Sequence, residues 1–291
     1  MIEIIFQKRQ DAVNLYQHFI KSMVSWCESQ SILLIEDRNR VCIPGRMFDD
    51  CRLDEIKNCF FVFITTMKRD EWLRSILRES YFYTEIEEQN QIMDIIYSVL
   101  EGNRSELLPF IEGPGTDGEI KGAIDQIFAK RISFSFDSFV MFRLKSYVDQ
   151  LSRWIEVAID EYKMEQEYQV FIQTLRDFLA GRRPQMRHLH LVIEETTGFF
   201  NSRFDEMTRG ELFKTIDRKL LVNHPVYVDS LTIAPLLSIA PETIYLYTDD
   251  LQQPLVRTIL NIFEERVQTK SLVSFHEERL AITGQDNRNV Q

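Results

Sequence analysis

The chain has 291 residues, 44% hydrophobic and 27% charged, with a formal net charge of -11. That balance belongs to a folded globular protein and excludes a disordered one. The negative mean field repels phosphate and sets nucleic acid aside as the expected partner. The 21 Phe, against 10 Gly and 8 Pro, predict a substantial aromatic core in one large domain or two ordinary ones.

Residues 1–6 lack the basic lead and long apolar core of a secretory signal. The longest apolar run, residues 59–64, falls far short of the ~20 residues that cross a bilayer. A cytoplasmic protein without a membrane span is expected. Cys27, Cys42, Cys51 and Cys59 form no C-x-x-C pair and have no His at zinc-finger spacing, so they read as reduced thiols.

Residues 2–6 read as a strand, and Ala12, Val13, Leu15, Tyr16, Phe19, Ile20, Met23 and Trp26 recur at helical spacing. Residues 31–36 and 40–43 read as two strands turned by Asp37-Arg38-Asn39, with Pro44-Gly45 closing the second. Residues 60–65, apolar on both faces, predict a central strand. A helix follows from Lys68 with Trp72, Leu73, Ile76 and Leu77, then Tyr81-Phe82-Tyr83 as a short strand. Thr84/Glu87, Thr116/Glu119 and Thr208/Glu211 are spaced as capping boxes. The first opens a helix through Ile92, Ile95, Ile96, Val99 and Leu100, and Gly102 closes it. Residues 103–118, with Pro109, Gly113, Pro114 and Gly115, read as a linker.

Residues 139–180 are helical by composition, closed by Gly181. On a wheel of ~100° per residue, Leu144, Val148, Leu151, Ile155, Ala158, Ile159 and Tyr162 share one face. Met164, Tyr168, Phe171, Leu175, Phe178 and Leu179 cluster almost opposite. A straight helix of that length runs ~63 Å, beyond the about 50 Å of a globule of this size. Either the helix breaks near residues 163–166, or it is one rod gripped on opposite sides; the absence of Gly or Pro there favours the rod or a mild kink.

Residues 188–193 and 199–204 read as a hairpin across Thr196-Thr197-Gly198. Residues 211–221 and 227–239 read as helices, the second bent at Pro235. Then come a strand at 243–247, a helix at 254–267 opened by Pro254, a strand at 272–275 and a polar tail. The expected fold class is α+β (mixed α/β), two α/β modules joined by a long central helix. Its parts are an N-terminal module (1–102), linker (103–118), central helical region (119–181), C-terminal module (182–276) and tail (277–291).

No pattern compels a chemistry. Residues 113–118 lack the Gly-Lys-Ser/Thr ending of a phosphate loop. His188 and His190, two apart on a strand, face the same way, as the start of a metal site does. A third ligand would have to come from Glu194, Glu195 or His224, and otherwise the pair is two surface or interface imidazoles. Glu156, Asp160, Glu161, Glu165 and Glu167 read as a solvated acidic face. Arg182, Arg183 and Arg187 offset the helix dipole or meet an acidic partner or phosphorylated ligand. No nucleophile elbow occurs, and nothing selects Cys51 as a nucleophile. No cofactor is expected.

The run Phe142-Arg143-Leu144-Lys145-Ser146-Tyr147, then Ala158-Ile159-Asp160-Glu161-Tyr162 and residues 165–172, resembles the YtxC-like sporulation proteins of endospore-forming bacteria. Residues 238–244 and 258–263 extend the resemblance over most of the chain. It implies a role in sporulation and brings no catalytic residue, cofactor or ligand. The leading expectation is a non-enzymatic protein acting through an unknown protein partner. Its rivals are an enzyme or small-ligand binder with its site at the junction of the modules, and a nucleic-acid factor using the three arginines.

Overall fold

The computed structural model describes residues 1–22, 32–45, 50–111, 117–217 and 231–286. The fold is mixed α/β, with two sheets and many helices. It divides into two compact units, Met1–Met164 and Glu165–Gln291.

In the first unit β1 (Ile2–Ile5) pairs antiparallel with β3 (Arg40–Ile43) and parallel with β4 (Phe134–Ser135). Strand β2 (Leu33–Ile35) adds to β3, for the order β2-β3-β1-β4. The β2–β3 turn runs as expected through Asp37-Arg38-Asn39. Asn39 adopts φ 49°, a left-handed conformation that Asn tolerates.

Around this sheet lie α1 (Arg9–Ser22), α2 (Asp50–Phe63), α3 (Arg69–Glu79), α4 (Ile86–Leu100), α5 (Leu108–Ile111), α6 (Asp117–Ala129) and α7 (Phe136–Arg143). The expected strand at residues 60–65 is instead the end of α2 and the start of a π-turn, Ile64–Lys68. A short, fully apolar run suits a helix buried on several sides as well as it suits a strand. Phe60 and Phe63 have no exposure, and Phe60 meets the rings of Phe128, Phe134, Phe136 and Phe139. A π-turn frees backbone carbonyls. Here the Thr65 hydroxyl donates to the Phe61 carbonyl at 3.0 Å and that of Thr66 to the Val62 carbonyl at 2.6 Å.

Tyr81-Phe82-Tyr83 is not a strand: Phe82 takes φ 61°, which breaks the extension. The Thr84 box does not form either, since α4 is capped at Glu85 without a side-chain bond. Thr116, Met23, Trp26, Cys27, His224 and Gly113-Pro114-Gly115 lie outside the described residues. Cys42 and Cys59 are free and buried.

The long helical segment is two helices. Helix α7 stops at Leu144, whose φ -110° and ψ 18° leave the helical region, and α8 runs unbroken from Lys145 to Ala180. Leu144, Leu151, Ile155, Ala158, Ile159 and Tyr162 are buried in the first core. Ile172, Leu175 and Leu179 are buried in the second, with Tyr168, Phe171 and Phe178 packed against it. Met164, assigned to the second stripe, is 64% exposed; the stripe begins at Tyr168 and includes Ile172.

In the second unit β5 (His188–Ile193) pairs antiparallel with β6 (Thr197–Phe200) and parallel with β7 (Thr243–Tyr247), which pairs parallel with β8 (Val267–Lys270). The order is β6-β5-β7-β8. Helix α9 (Arg209–Thr215) opens on the capping box expected at Thr208/Glu211. Helices α10 (Ile233–Ile239), α11 (Pro254–Phe263) and α12 (Leu272–Asp286) complete the unit.

Strand side chains alternate between the two faces. Leu189, Leu191, Ile193, Ile244 and Leu246 join α10 and α11 in one core, while Val192 and Tyr247 join Phe200, Phe204 and Phe275 of α12 in another. The strand expected at residues 272–275 is therefore the first turn of α12. The Ser271 hydroxyl caps it, accepting from the Ser274 N–H at 3.3 Å, and Leu272 and Phe275 turn inward at helical spacing.

Candidate functional site

The period of two in β5 sends His188 and His190 to one face of the sheet, as expected. Parallel register sets Tyr245 beside His190, and Lys270, the last residue of β8, beside Tyr247, the last of β7. Helix α12 then brings Glu278 over the same face. These elements border a cleft of about 370 Å³ lined by His188, His190, Ser202, Phe204, Tyr245, Lys270, Glu278, Ala281 and Ile282.

A chain of hydrogen bonds runs along its wall. His190 Nδ1 lies 2.8 Å from the Tyr247 hydroxyl. That hydroxyl donates to Glu278 Oε2 at 2.9 Å, and Lys270 Nζ donates to Glu278 Oε1 at 2.7 Å. The Lys270 ammonium also lies 4.6 Å from the Tyr245 ring centroid, in cation–π range. His190 is buried, with the Phe204 ring 4.1 Å away and the Tyr245 ring 5.0 Å away.

Phe204 reaches that position at φ 63°, a costly conformation for a bulky residue. The turn before it holds the strain: Asn201 Oδ1 accepts from the N–H of Arg203 at 2.8 Å and of Asp205 at 3.1 Å.

Burial drives the His190 pKa from 6.5 down to about 4, with the nearby Glu278 charge opposing the shift. Burial likewise raises Tyr247 above its ordinary range, and Glu278 adds to the effect. Glu278 feels burial pushing upward, but Lys270 and the Tyr247 hydroxyl outweigh it and hold the carboxyl below its usual range. At neutral pH the set is a neutral imidazole, a neutral phenol and an ammonium–carboxylate pair.

His188 shares the cleft, and its Nδ1 is buried without a hydrogen-bond partner. Among the described residues no three His, Cys, Asp or Glu side chains gather as a metal site. The three arginines differ in their surroundings. Arg182 is held within its unit, ion-paired to Asp217, donating to the Ser238 carbonyl at 3.1 Å and lying over the Phe178 ring. Arg183 is exposed, and Arg187 is exposed with Glu242 at 3.5 Å. On the acidic face, Glu156 accepts from the Tyr81 hydroxyl at 2.9 Å and Glu161 pairs with Arg104 at 2.8 Å.

Sequence reasoning reached the two histidines and missed Tyr245, Tyr247, Lys270 and Glu278. The signal within reach was a second i, i+2 pair of polar-tipped rings, Tyr245 and Tyr247, on the next parallel strand. Glu278 was hidden by reading residues 272–275 as extended, which conceals that it follows Phe275 by one helical turn.

Residues 54–268 match the YtxC-like family. The chain belongs to the YtxC-like family. Within it, the chain is 35% identical over 289 residues to "Uncharacterized protein YtxC" of Bacillus subtilis (strain 168), covering 97% of this chain and 98% of that protein. No solved structure matches. No helix among the described residues is long and apolar enough to cross a membrane.

Proposed function

We propose that this protein is a cytoplasmic, sporulation-associated binding protein that holds a small ligand in the cleft between β5, β7, β8 and α12. The reading includes two α/β modules joined by the long helix, with exposed Arg183 and Arg187 available to an acidic protein partner. The resemblance of residues 142–147 and 165–172 to the YtxC-like sporulation proteins supports the sporulation setting.

The observation that carries the binding reading is the hydrogen-bonded wall of the cleft. His190, Tyr247, Glu278 and Lys270 are joined in one hydrogen-bonded chain, which preorganises the wall without presenting an activated nucleophile. The cleft volume lies within the range of small-ligand sites.

A thermal-shift screen of the full chain against a metabolite library tests it. A ligand that prefers the folded state raises the melting temperature by mass action, and Tyr245→Ala should abolish that rise. A screen in which no compound stabilises the chain, or in which every hit survives Tyr245→Ala, removes the reading. Deletion of the gene, with loss of heat-resistant spores restored by the native chain and not by Tyr245→Ala, tests the setting.

A further inference from the structure

The direction of the hydrogen bonds fixes more than the shape of the cleft. A phenol has one proton to donate. Tyr247 spends its proton on the Glu278 carboxylate, so its oxygen is left as an acceptor towards His190. The His190 Nδ1 therefore carries the ring proton and donates it. A neutral imidazole has only one N–H, and its Nε2 is then a bare lone pair. Tyr247 and Glu278 are positioning residues for that lone pair.

The charges bordering the cleft cancel. The Lys270 ammonium is bonded to Glu278, and both carboxylate oxygens are taken, one by Lys270 and one by Tyr247. A charged ligand would have to compete with that pair, whereas a neutral one leaves it intact. Phe204, Ala281 and Ile282 give the cleft apolar surface as well.

We propose that the cleft selects a small uncharged molecule with an apolar body and one O–H or N–H donor, received by Nε2 of His190. This rests on the small-ligand reading above and specifies the ligand class.

Phenol is the simplest probe of that class. Anisole has a similar body without the donor, and benzoate has a similar body with a charge. Titrated into the full chain and followed by long-range proton–nitrogen spectra of the histidines, phenol should shift His190 Nε2 saturably. Anisole and benzoate should bind about tenfold more weakly, the worth of one hydrogen bond. The free protein should show His190 with a protonated Nδ1 and an unprotonated Nε2. Tyr247→Phe, which keeps the ring, should mix the two tautomers and weaken phenol about tenfold.

Anisole or benzoate binding as tightly as phenol, a protonated Nε2 in the free protein, or an unchanged tautomer in Tyr247→Phe would overturn the inference. Failure of phenol alongside library compounds that do bind overturns the ligand class and leaves the binding reading standing. Failure of every compound removes both.

Discussion

Leu151 and Leu175 lie on the same uninterrupted helix, and neither has any exposure to solvent, yet each is buried in a different hydrophobic core. The apolar stripe changes face between them, and the residue at the change, Met164, is exposed. One secondary-structure element thus supplies core side chains to two packing problems. That is why its pattern, read along its whole length, has no single amphipathic face.

Leu151→Ala and Leu175→Ala should each cost about 2–5 kcal/mol, the usual loss for a fully buried leucine. Hydrogen exchange should tell them apart. Leu151→Ala should speed exchange of buried amides in the unit ending at Met164, and Leu175→Ala in the unit beginning at Glu165.

Lys68 is buried, with Nζ 3.1 Å from Asp11 Oδ1 and 2.5 Å from Glu71 Oε2. Lys68 and Asp11 side chains are 5% and 10% exposed. Asp11→Ala should cost about 1.5–3 kcal/mol, because it takes one of two carboxylates from a buried ammonium that keeps Glu71. The double variant Asp11→Ala/Lys68→Met should recover much of that loss. Urea denaturation of both measures the difference.

His190 makes stability depend on pH. Its folded pKa, about 4, lies below its ordinary 6.5, so the unfolded chain binds more protons between those values. The contribution of a neutral His190 is intact above pH 6.5, declines as the pH falls towards 4 and levels off below. Lys270 and His188 act in the same direction and Glu278 against it. His190→Phe should flatten the slope of urea-melt stability between pH 6.5 and 4.

Thr208 accepts from the Glu211 N–H at 3.3 Å, while Glu211 Oε2 accepts from the Thr208 N–H at 2.8 Å. Thr208→Ala should cost about 1 kcal/mol, measured by thermal denaturation. Thr84→Ala, at a sequence of the same spacing where no cap forms, should cost less.

What was legible in the sequence was local. Period-two alternation located β5 and β7, and the Thr-x-x-Glu spacing located the start of α9. The change of face in α8 was visible from side-chain angles alone. Spacing could not separate the box at Thr208/Glu211 from the look-alike at Thr84/Glu87, because whether a threonine caps depends on where the chain enters the helix. Nor could it pair Tyr247 with Lys270, since that pairing is a register between strands separated by α11. The misread run at residues 60–65 has a related cause: burial of most of a helix's circumference erases the polar side that would identify it.

The π-turn at Ile64–Lys68 makes that stretch tolerant of losing one residue. Buried positions Ile56, Phe60, Ile64 and Lys68 step by four, the next step to Leu73 is five, and Leu77 follows at four. Removing a single codon there would restore ordinary helical winding and leave what lies downstream in phase with what precedes it, because the lost residue is the one the π-turn absorbs. Leu73 and Leu77 would still face the interior with Ile56 and Phe60, and only the turn itself, with Lys68, would have to repack. Single-codon deletions in this gene should therefore be tolerated better at codons 64 to 68 than elsewhere in α2 or α3, with their cost falling on the Lys68 contacts.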